Sequence, residues 1–334
     1  MHFVIRADGG PDIGYGHLIR SNSLVEELLT RDVETTVATT TPEAAQSVFP
    51  EAVKIVELSS RCDPEPLLEW LDLRRPDGVF TDAYPVDIEY QRAIRNRCPL
   101  AVLQDDNRHT VCADLFVNGN IYAENMEYQF IGEEPTTCLG TDYVLLRSEI
   151  RNRATDDPPW REQPNRAVVT MGGSDVNNLT PTVLRSFDGI DIHVDAIIGP
   201  GFSDAQEHLV RVAAEEISPE VEILRDPNDL VARMFEADFA MCTSSSTVYE
   251  LLALGTPIIT CPVADNQKLI AGALQTGDIA TVVEPDGGVE AFRVAIERYV
   301  TDDDIRRYRQ ELGRELVDGN GVRRICAEVL SLVD

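Results

Sequence analysis

The chain has 334 residues, of which 43% are hydrophobic, and its 58 acidic against 29 basic residues give a formal net charge of −29. That length is enough for two ordinary domains, each with a sizeable core. The acidic balance excludes the basic surface that a nucleic-acid partner needs.

Other features of the composition exclude further classes of protein. No apolar stretch of membrane-spanning length and no signal-peptide pattern occurs, so a cytoplasmic protein without membrane insertion is expected. The 7 cysteines are scattered and never in C-x-x-C spacing, which argues against a disulfide framework and a zinc site. Lysine occurs only at positions 54 and 268. A carboxylate-rich, lysine-poor surface is typical of proteins that work in concentrated salt, and a halophilic protein is predicted.

A glycine-rich turn ending in a histidine follows the first apolar run, residues 3–5. The turn spans residues 8–17, and its Gly14 and Gly16 let the backbone approach a ligand closely. The helix predicted to begin there presents free N–H groups to an anion. The helix dipole disfavours a cationic imidazole, so His17 is predicted to be neutral near pH 7, as a general base must be. The alternative is an ordinary strand-to-helix turn with a surface histidine.

Short apolar runs and helical patterns alternate along the chain, starting with a predicted helix from about Gly16 to Leu29. This rhythm predicts an α/β fold with parallel sheets covered on both faces. A polar segment with adjacent prolines, 151–165, is predicted to link an N-terminal domain (1–150) to a C-terminal domain (166–334). The terminal helices are candidates for crossing back onto the first domain. The simplest architecture is two Rossmann-like doubly wound domains facing a cleft, with both glycine turns toward that cleft.

The second domain repeats the order of strand, glycine turn and helix. Its turn contains Gly172, Gly173 and Ser174, and the turn is predicted to lie at a helix start. Farther along, residues 244–247 close one strand and open the next helix, so that Ser245, Ser246 and Thr247 offer hydroxyl and N–H groups to a diphosphate. Both segments therefore predict anion binding.

Four further residues have two interpretations each. Glu250 either accepts hydrogen bonds from the ribose hydroxyls of a nucleotide or forms a capping box with Thr247. Asn266 and Gln267 either contact a sugar or nucleotide or form an ordinary turn. Asp8 either orients His17 or a sugar hydroxyl, or shapes the turn at a strand end.

Several of these motifs together carry a resemblance to a known family. The chain resembles the UDP-sugar hydrolases of pseudaminic acid biosynthesis, the PseG type, and the related SpsG-type polysaccharide proteins, over roughly residues 2 to 280. The motifs are Arg6-Ala7-Asp8, Ile13-Gly14-Tyr15-Gly16-His17, Met171-Gly172-Gly173-Ser174-Asp175, Ser245-Ser246-Thr247 with Glu250, and Asn266-Gln267, supported by Asp82-Ala83-Tyr84, Asp105-Asp106 and Asn118-Gly119-Asn120.

The resemblance implies a GT-B fold with UDP on the C-terminal domain. It also implies metal-free and cofactor-free hydrolysis of a UDP-activated 2,4-diacetamido-2,4,6-trideoxy sugar, by water attack at C1 with inversion. His17 would orient or deprotonate the water, and Tyr84 would lie near the sugar. Where the family commonly has Asp-His-Tyr, this chain has Ala83 between Asp82 and Tyr84. The missing histidine leaves open a different nucleotide sugar.

Two other functions fit the same residues. A GT-B glycosyltransferase would place an acceptor hydroxyl where the hydrolase holds water. A non-catalytic protein would bind the nucleotide sugar without turnover. In each case the expected partner is a UDP-sugar, and the chain is expected to be a monomer or a weak homodimer.

Overall fold

The computed structural model describes residues 1–10 and 13–333, so Pro11 and Asp12 of the predicted glycine turn lie outside the described residues. The chain divides into two compact units. The first unit holds Met1–Ser148 and the C-terminal segment from Gly319, and the second unit holds Glu149–Asp318. The cleft that the sequence predicts between two domains stays a prediction.

The first unit is built on a parallel sheet of seven strands, counted over the described residues, in the order β3-β2-β1-β4-β5-β6-β7. The central strand is apolar on both faces, as expected of a strand covered by helices on each side. Phe3 and Ile5 point into one core cluster and Val4 into another. The strands are β1 (His2–Ala7), β2 (Glu34–Thr39), β3 (Lys54–Glu57), β4 (Gly78–Asp82), β5 (Leu100–Leu103), β6 (Leu115–Asn118) and β7 (Thr136–Leu139).

The helices of this unit cover the two faces of that sheet. The first of them, α1, begins and ends where the sequence predicts, and it buries Leu18, Leu24 and Leu28 against the sheet. The helices are α1 (Gly16–Leu29), α2 (Pro42–Val48), α3 (Glu65–Arg74) and α4 (Ile88–Arg95), and α5 (Ser148–Arg153) begins at the boundary between the units.

The second unit has a parallel sheet of six strands, again counted over the described residues, in the order β10-β9-β8-β11-β12-β13. Its strands are β8 (Arg166–Thr170), β9 (His193–Ile198), β10 (Val221–Arg225), β11 (Phe239–Thr243), β12 (Ile258–Cys261) and β13 (Thr281–Val282). Its helices are α6 (Thr180–Arg185), α7 (Asp204–Glu215), α8 (Leu230–Glu236), α9 (Thr247–Leu254), α10 (Lys268–Thr276), α11 (Gly288–Thr301) and α12 (Asp303–Leu316). Two parallel α/β sheets confirm the predicted fold class.

The segment predicted as a linker, 151–165, is fixed to the second unit. Its first residues complete α5, and the remainder runs beside α12. Arg306 and Arg314 of α12 donate to backbone carbonyls of this segment at 2.7 to 2.9 Å. Trp160 of the segment lies under the guanidinium of Arg307, 4.9 Å from the ring centroid. Side chains of α12 thus satisfy the carbonyls that an extended segment leaves open.

The last helix, α13 (Gly321–Ser331), belongs to the first unit, whereas α12 belongs to the second. Ile325, Cys326 and Val329 of α13 are fully buried in the core cluster that contains Leu24 and Leu28 of α1. The C-terminal helix therefore completes the core of the N-terminal sheet. Within residues 1–10 and 13–333, each helix is too short or too polar to cross a membrane.

Candidate functional site

In each sheet the first three strands are added in one direction, and the fourth strand is placed on the other side of the first. The neighbours at that point are β1 and β4 in the first sheet, and β8 and β11 in the second. The connections that follow these two strands leave on opposite faces of the sheet, which opens a crevice at the carboxyl ends of the strands. Doubly wound folds bind their ligands in this crevice. The loops after these four strands are therefore the candidate sites.

The glycine turn after β1 is closed by its own backbone. The N–H of Gly14 donates to the carbonyl of Gly10 at 2.7 Å, and the N–H of Gly10 donates back at 3.2 Å. Gly14 has φ +86, which favours glycine. Apart from its chain neighbours and the backbone of its own helix, no atom of the described residues would lie within 4 Å of a Cβ at Gly16, the first residue of α1. The turn therefore leaves open space directly before His17.

His17 pairs with a carboxylate at the end of β4. Its Nδ1 lies 2.6 Å from Oδ1 of Asp82, and the two side chains are 11% and 1% exposed. An ionised carboxylate only accepts, so Nδ1–H donates and the neutral ring keeps its lone pair on Nε2. Within the described part of the chain, Nε2 has no hydrogen-bond partner. The pair therefore presents a base of fixed tautomer at the crevice.

Arg20, one turn after His17 on α1, holds the other side of this carboxylate. Its Nε lies 2.6 Å from Oδ2 of Asp82, and its Nη2 lies 2.6 Å from Oδ1. Burial alone raises the pKa of Asp82, but the charges and hydrogen bonds of Arg20 and His17 outweigh burial and hold that pKa well below its usual range. Asp82 is therefore an anion near neutral pH.

A second carboxylate, Asp105 after β5, shares the same guanidinium. Nη1 and Nη2 of Arg20 lie 2.7 and 3.0 Å from its two oxygens. The hydroxyl of Tyr84 donates to Asp105 at 3.1 Å, and its ring meets His17 edge to face with centroids 4.6 Å apart. Burial and the charge of Asp105 raise the pKa of Tyr84 to about 12, so the phenol keeps its proton. Loops after β1, β4 and β5 thus build one connected set around the imidazole.

The sequence prediction assigns roles to His17 and Tyr84, and the structure brings these two together. It assigns no role to Arg20, Asp82 or Asp105. A signal for each exists in the sequence: Arg20 lies three residues after His17, on the same face of the helix. The two aspartates each follow an apolar run, at the carboxyl end of a predicted strand.

Asp8, predicted to orient His17 or a sugar hydroxyl, makes its hydrogen bonds to residues other than His17. Its carboxylate accepts from Nη2 of Arg6 at 2.7 Å and from the N–H and hydroxyl of Thr40 at 2.8 and 2.9 Å. Burial raises its pKa, but Arg6 and Thr40 outweigh burial and lower it to about 2. The side chain is 1% exposed. The prediction that Asp8 orients His17 is therefore wrong, because Asp8 turns toward the end of β2 and ties that strand to β1. Its role toward a sugar hydroxyl stays a prediction.

The glycine turn after β8 packs against the end of β11. Gly172 has φ +83, and a Cβ there would lie 3.6 Å from Oγ1 of Thr243. The carbonyl of Gly173 accepts from the N–H of Gly201 at 2.8 Å. Gly173 and Ser174 are exposed. The turn is thus held at the crevice edge with its outer side open.

The prediction that this second turn opens a helix is wrong. The next helix, α6, begins at Thr180, several residues after Gly173. The carboxylate of Asp175 accepts from the N–H groups of Leu179 and Thr180, both at 2.8 Å. The positive end of α6 is therefore already occupied by a protein anion. The predicted diphosphate would have to be stabilised by other groups of this crevice.

The serine-rich loop after β11 carries hydroxyl and N–H groups that could bind an anion. The hydroxyl oxygens of Thr243 and Ser245 lie 3.1 Å apart. The N-cap of α9 is Ser246, whose side chain makes no capping hydrogen bond. Within the described residues, no backbone carbonyl accepts from the N–H groups of Ser246 or Thr247. Hydroxyls and open N–H groups at a helix start, beside Gly172, suit an anion.

The capping-box interpretation of Glu250 is wrong. With Ser246 as the N-cap, the third helical position is Tyr249, so Thr247 and Glu250 do not occupy the N-cap and N3 positions that a capping box needs. Glu250 is half-buried on the first turns of α9. The ribose role of Glu250 stays a prediction.

Asn266 and Gln267 lie in a short 3-10 turn, Asp265–Gln267, after β12. The side-chain oxygen of Gln267 accepts from the N–H of Val263 at 3.0 Å, so this residue braces its own loop. Asn266 is exposed. Because β12 neighbours β11, this turn lies at the same edge of the sheet as the serine-rich loop.

His193, Asp195 and Glu222 form the group of side chains, among the described residues, whose spacing could suit a metal ion. They lie toward the amino ends of β9 and β10, away from the crevice. Asp195 is already bound by Arg166 at 2.8 Å and by Arg233 at 3.0 Å. Two guanidinium groups oppose the approach of a cation.

Comparison with known proteins gives distant relatives. No protein-family model matches the chain. The spore coat polysaccharide biosynthesis protein SpsG of Bacillus subtilis is 24% identical, and the match covers 100% of this chain and 99% of SpsG. The uncharacterized protein MJ1062 of Methanocaldococcus jannaschii is 24% identical over 273 residues, which cover 78% of this chain. The match spans 55% of that relative's length.

Solved structures show the fold. MurG of Acinetobacter baumannii superposes with a TM-score of 0.71 at 12% identity, covering 99% of each chain. The calicheamicin glycosyltransferase CalG4 has a TM-score of 0.70 at 18% identity, covering 99% of this chain and 98% of its own. The chain therefore has the two-sheet α/β fold of the GT-B glycosyltransferases. Identities this low establish the fold alone.

Proposed function

We propose that the chain is an enzyme that hydrolyses a UDP-activated 2,4-diacetamido-trideoxy sugar without a metal, in nonulosonic acid or surface polysaccharide biosynthesis. The observation that carries the proposal is the His17–Asp82 pair, whose Nε2 is left open at the crevice of the first sheet. Similarity to SpsG, a protein of spore coat polysaccharide biosynthesis, supports the metabolic context.

In the proposed reaction His17 activates water. Nε2 takes a proton from the water as its oxygen forms a bond to C1 of the sugar. The bond from C1 to the diphosphate oxygen breaks on the opposite face, and UDP leaves with the electron pair, so C1 is inverted. Asp82 stabilises the imidazolium that results, as the carboxylate of a catalytic triad does. A positioned base of this kind contributes roughly 10² to 10⁴ in rate.

The leaving group would bind at the second sheet. The N–H groups of Ser246 and Thr247 and the hydroxyls of Thr243 and Ser245 are the donors that would meet the diphosphate. The missing Cβ of Gly172 lets the phosphates approach the backbone. In this proposal Glu250 accepts from the ribose, and Asn266 and Gln267 contact the sugar or the base.

The test is steady release of UDP from candidate UDP-sugars in high salt, with no acceptor present. His17→Ala is expected to lower turnover by about 1000-fold, because the base is lost, while the UDP affinity stays within a few-fold. His208→Ala, an exposed histidine on α7, is the matched control and keeps wild-type turnover. Wild-type turnover in the His17 variant contradicts the assignment of the base.

A glycosyltransferase is the second candidate, favoured by the likeness of the fold to MurG and CalG4. In that case Nε2 of His17 would deprotonate an acceptor hydroxyl instead of water. Release of UDP only when an acceptor is added supports the transferase. Binding of the UDP-sugar with no release under either condition supports a non-catalytic binding protein.

A further inference from the structure

The guanidinium of Arg20 binds two carboxylates at once. It makes a two-point contact to Asp82, with both distances 2.6 Å, and a second two-point contact to Asp105, at 2.7 and 3.0 Å. Its side chain is 23% exposed, and Asp82 and Asp105 are 1% and 21% exposed. Such paired contacts fix both the distance and the plane of each carboxylate.

The contact to Asp82 decides which way its carboxylate faces. Oδ1 of Asp82 is within 2.6 Å of both Nη2 of Arg20 and Nδ1 of His17. Nη2 of Arg20 also lies 3.0 Å from Nδ1. A donor that close could donate to Nδ1 and so replace the hydrogen bond from Nδ1–H to the carboxylate. The imidazole would then carry its proton on Nε2. Because Arg20 already donates to Asp82 and Asp105, Nδ1 keeps Asp82 as its acceptor.

Asp105 completes the balance of charge. Arg20 by itself neutralises one carboxylate, so Asp82 alone would leave the imidazole beside a neutral pair. With Asp105 the set has two negative groups and one positive group around His17. A proton taken up on Nε2 then makes the set neutral, and a charge that forms on the ring is offset by groups already in place. Tyr84 and Asn120 hold Asp105, at 3.1 and 3.2 Å.

We propose that Arg20 is a positioning residue: by binding Asp82 and Asp105 together it keeps Asp82 on Nδ1 of His17, and so keeps the reactive lone pair on Nε2. The role rests on the proposed function, in which that lone pair takes the proton. In this proposal Arg20 acts through Asp82 and not on the substrate.

Lysine could not take over this role. Its ammonium is a point charge with three donors, whereas the contacts of Arg20 use a planar fork toward two carboxylates. Arg20→Lys therefore keeps the positive charge but loses the paired contacts to the two carboxylates. The variant separates the contribution of the charge from that of the contact geometry. Arg31, two residues after the end of α1, pairs at 3.2 Å with Glu27 of that helix and provides a matched control.

The first measurement is the split between kcat and KM for UDP release. Arg20→Ala and Arg20→Lys are expected to lower kcat by about 100-fold and about 10-fold, with KM within about threefold, because orientation of the base is lost and substrate contacts are kept. Millimolar guanidinium is expected to restore part of the activity of Arg20→Ala and none of His17→Ala. Arg31→Ala keeps wild-type kinetics. Wild-type kcat in Arg20→Lys and Arg20→Ala overturns the proposal.

The second measurement needs no substrate and stands even if the proposed function fails. Two-bond proton–nitrogen NMR spectra of the 5 histidines, assigned with His17→Ala, report which ring nitrogen of neutral His17 carries the proton. The wild-type protein is expected to hold the Nδ1–H tautomer, and Arg20→Lys a mixture of both. An unchanged tautomer in a folded Arg20 variant overturns the proposal, whatever its kcat. If the wild-type protein releases no UDP but Arg20→Lys still changes the tautomer of His17, only the proposed function is overturned.

Discussion

Asp8 and Asp82 lie at the carboxyl ends of neighbouring strands, and their roles differ because their hydrogen-bond partners differ. Asp8 is enclosed by Arg6, Thr39 and Thr40, and each of its oxygens is used by the fold. Asp82 shares its oxygens between Arg20 and an imidazole whose other nitrogen is open. The first carboxylate stabilises the sheet, and the second orients a base.

Asp8 should therefore act on stability rather than on turnover. Its pKa is lowered from 3.8 to about 2, so the ionised form favours the folded state. A folded pKa below the unfolded value stabilises the protein above pH 3.8, and that stabilisation is lost as the pH falls toward 2. Asp8→Asn is expected to lower the free energy of unfolding at pH 7 by about 2 kcal/mol or more.

Urea unfolding of this variant and of the wild type, at constant ionic strength, measures the difference. The difference should shrink between pH 4 and pH 2, where the wild-type carboxylate takes up its proton. Turnover per folded molecule should stay within about twofold. A large loss of kcat with unchanged stability would restore Asp8 to the catalytic set.

Glu250 is expected to act on the nucleotide. If it accepts from both ribose hydroxyls, Glu250→Ala should weaken UDP binding by about tenfold or more, because hydrogen bonds to a charged group are lost. Isothermal calorimetry with UDP measures this affinity. Glu297→Ala, which removes an exposed carboxylate of α11, is the control and should bind UDP as the wild type does. Equal affinities for the two variants would contradict the ribose role.

At the scale of elements, the first unit depends on a helix from the far end of the chain. Ile325, Cys326 and Val329 of α13 are fully buried against α1. Ile325→Ala is expected to cost the first unit about 2 to 5 kcal/mol, from lost apolar burial and the cavity left behind. Arg323→Ala, an exposed position on the same helix, should change stability by less than about 0.5 kcal/mol.

Scanning calorimetry of Ile325→Ala and Arg323→Ala measures this difference in stability. A destabilisation confined to one of two transitions is expected for Ile325→Ala, because α13 packs within the first unit and α12 within the second. Equal melting temperatures for Ile325→Ala and Arg323→Ala would contradict the burial of Ile325 in the core of the first unit.

The sequence predicts elements well where the cause is local, and less well where partners come from distant strands. The apolar run at residues 3–5 and the spacing of Leu18, Leu24 and Leu28 predict β1 and α1, because burial on one side of a helix has a fixed period. The match of α1 to its predicted limits follows from that. The glycine turn predicts too early a start for α6, which begins at Thr180, where its first N–H groups donate to the carboxylate of Asp175.

The candidate site shows the same division. His17 stands out because it follows a glycine turn, which is a local pattern. Asp82 lies 65 residues farther along the chain and Asp105 lies 85 residues beyond Arg20, so only the order of the parallel strands brings them together. The sequence does not distinguish a strand-end carboxylate that pairs with Arg6 from one that pairs with His17. The prediction for Asp8 rests on its closeness to His17 in the sequence.

At the scale of the whole molecule, the net charge of −29 sets the conditions under which the fold persists. Many of the acidic residues have arginine partners, and exposed pairs of this kind each contribute little. The excess of carboxylates repels itself at low ionic strength, since charges interact over about 10 Å at 0.1 M salt and about 3 Å at 1 M. The compact state therefore carries a cost that salt removes.

Thermal stability should consequently rise with salt. Between about 0.1 and 2 M KCl the melting temperature is expected to increase by roughly 10 °C, because screening reduces repulsion among carboxylates. Sucrose is the control for effects on water, since it stabilises without screening charge. Glu133→Gln, Glu134→Gln and Glu290→Gln together remove three exposed charges. Repulsion grows with the square of the net charge, so this triple variant should lose roughly a fifth of the salt response. A melting temperature that does not change with KCl, or a triple variant as salt-dependent as the wild type, would show that self-repulsion does not limit this fold.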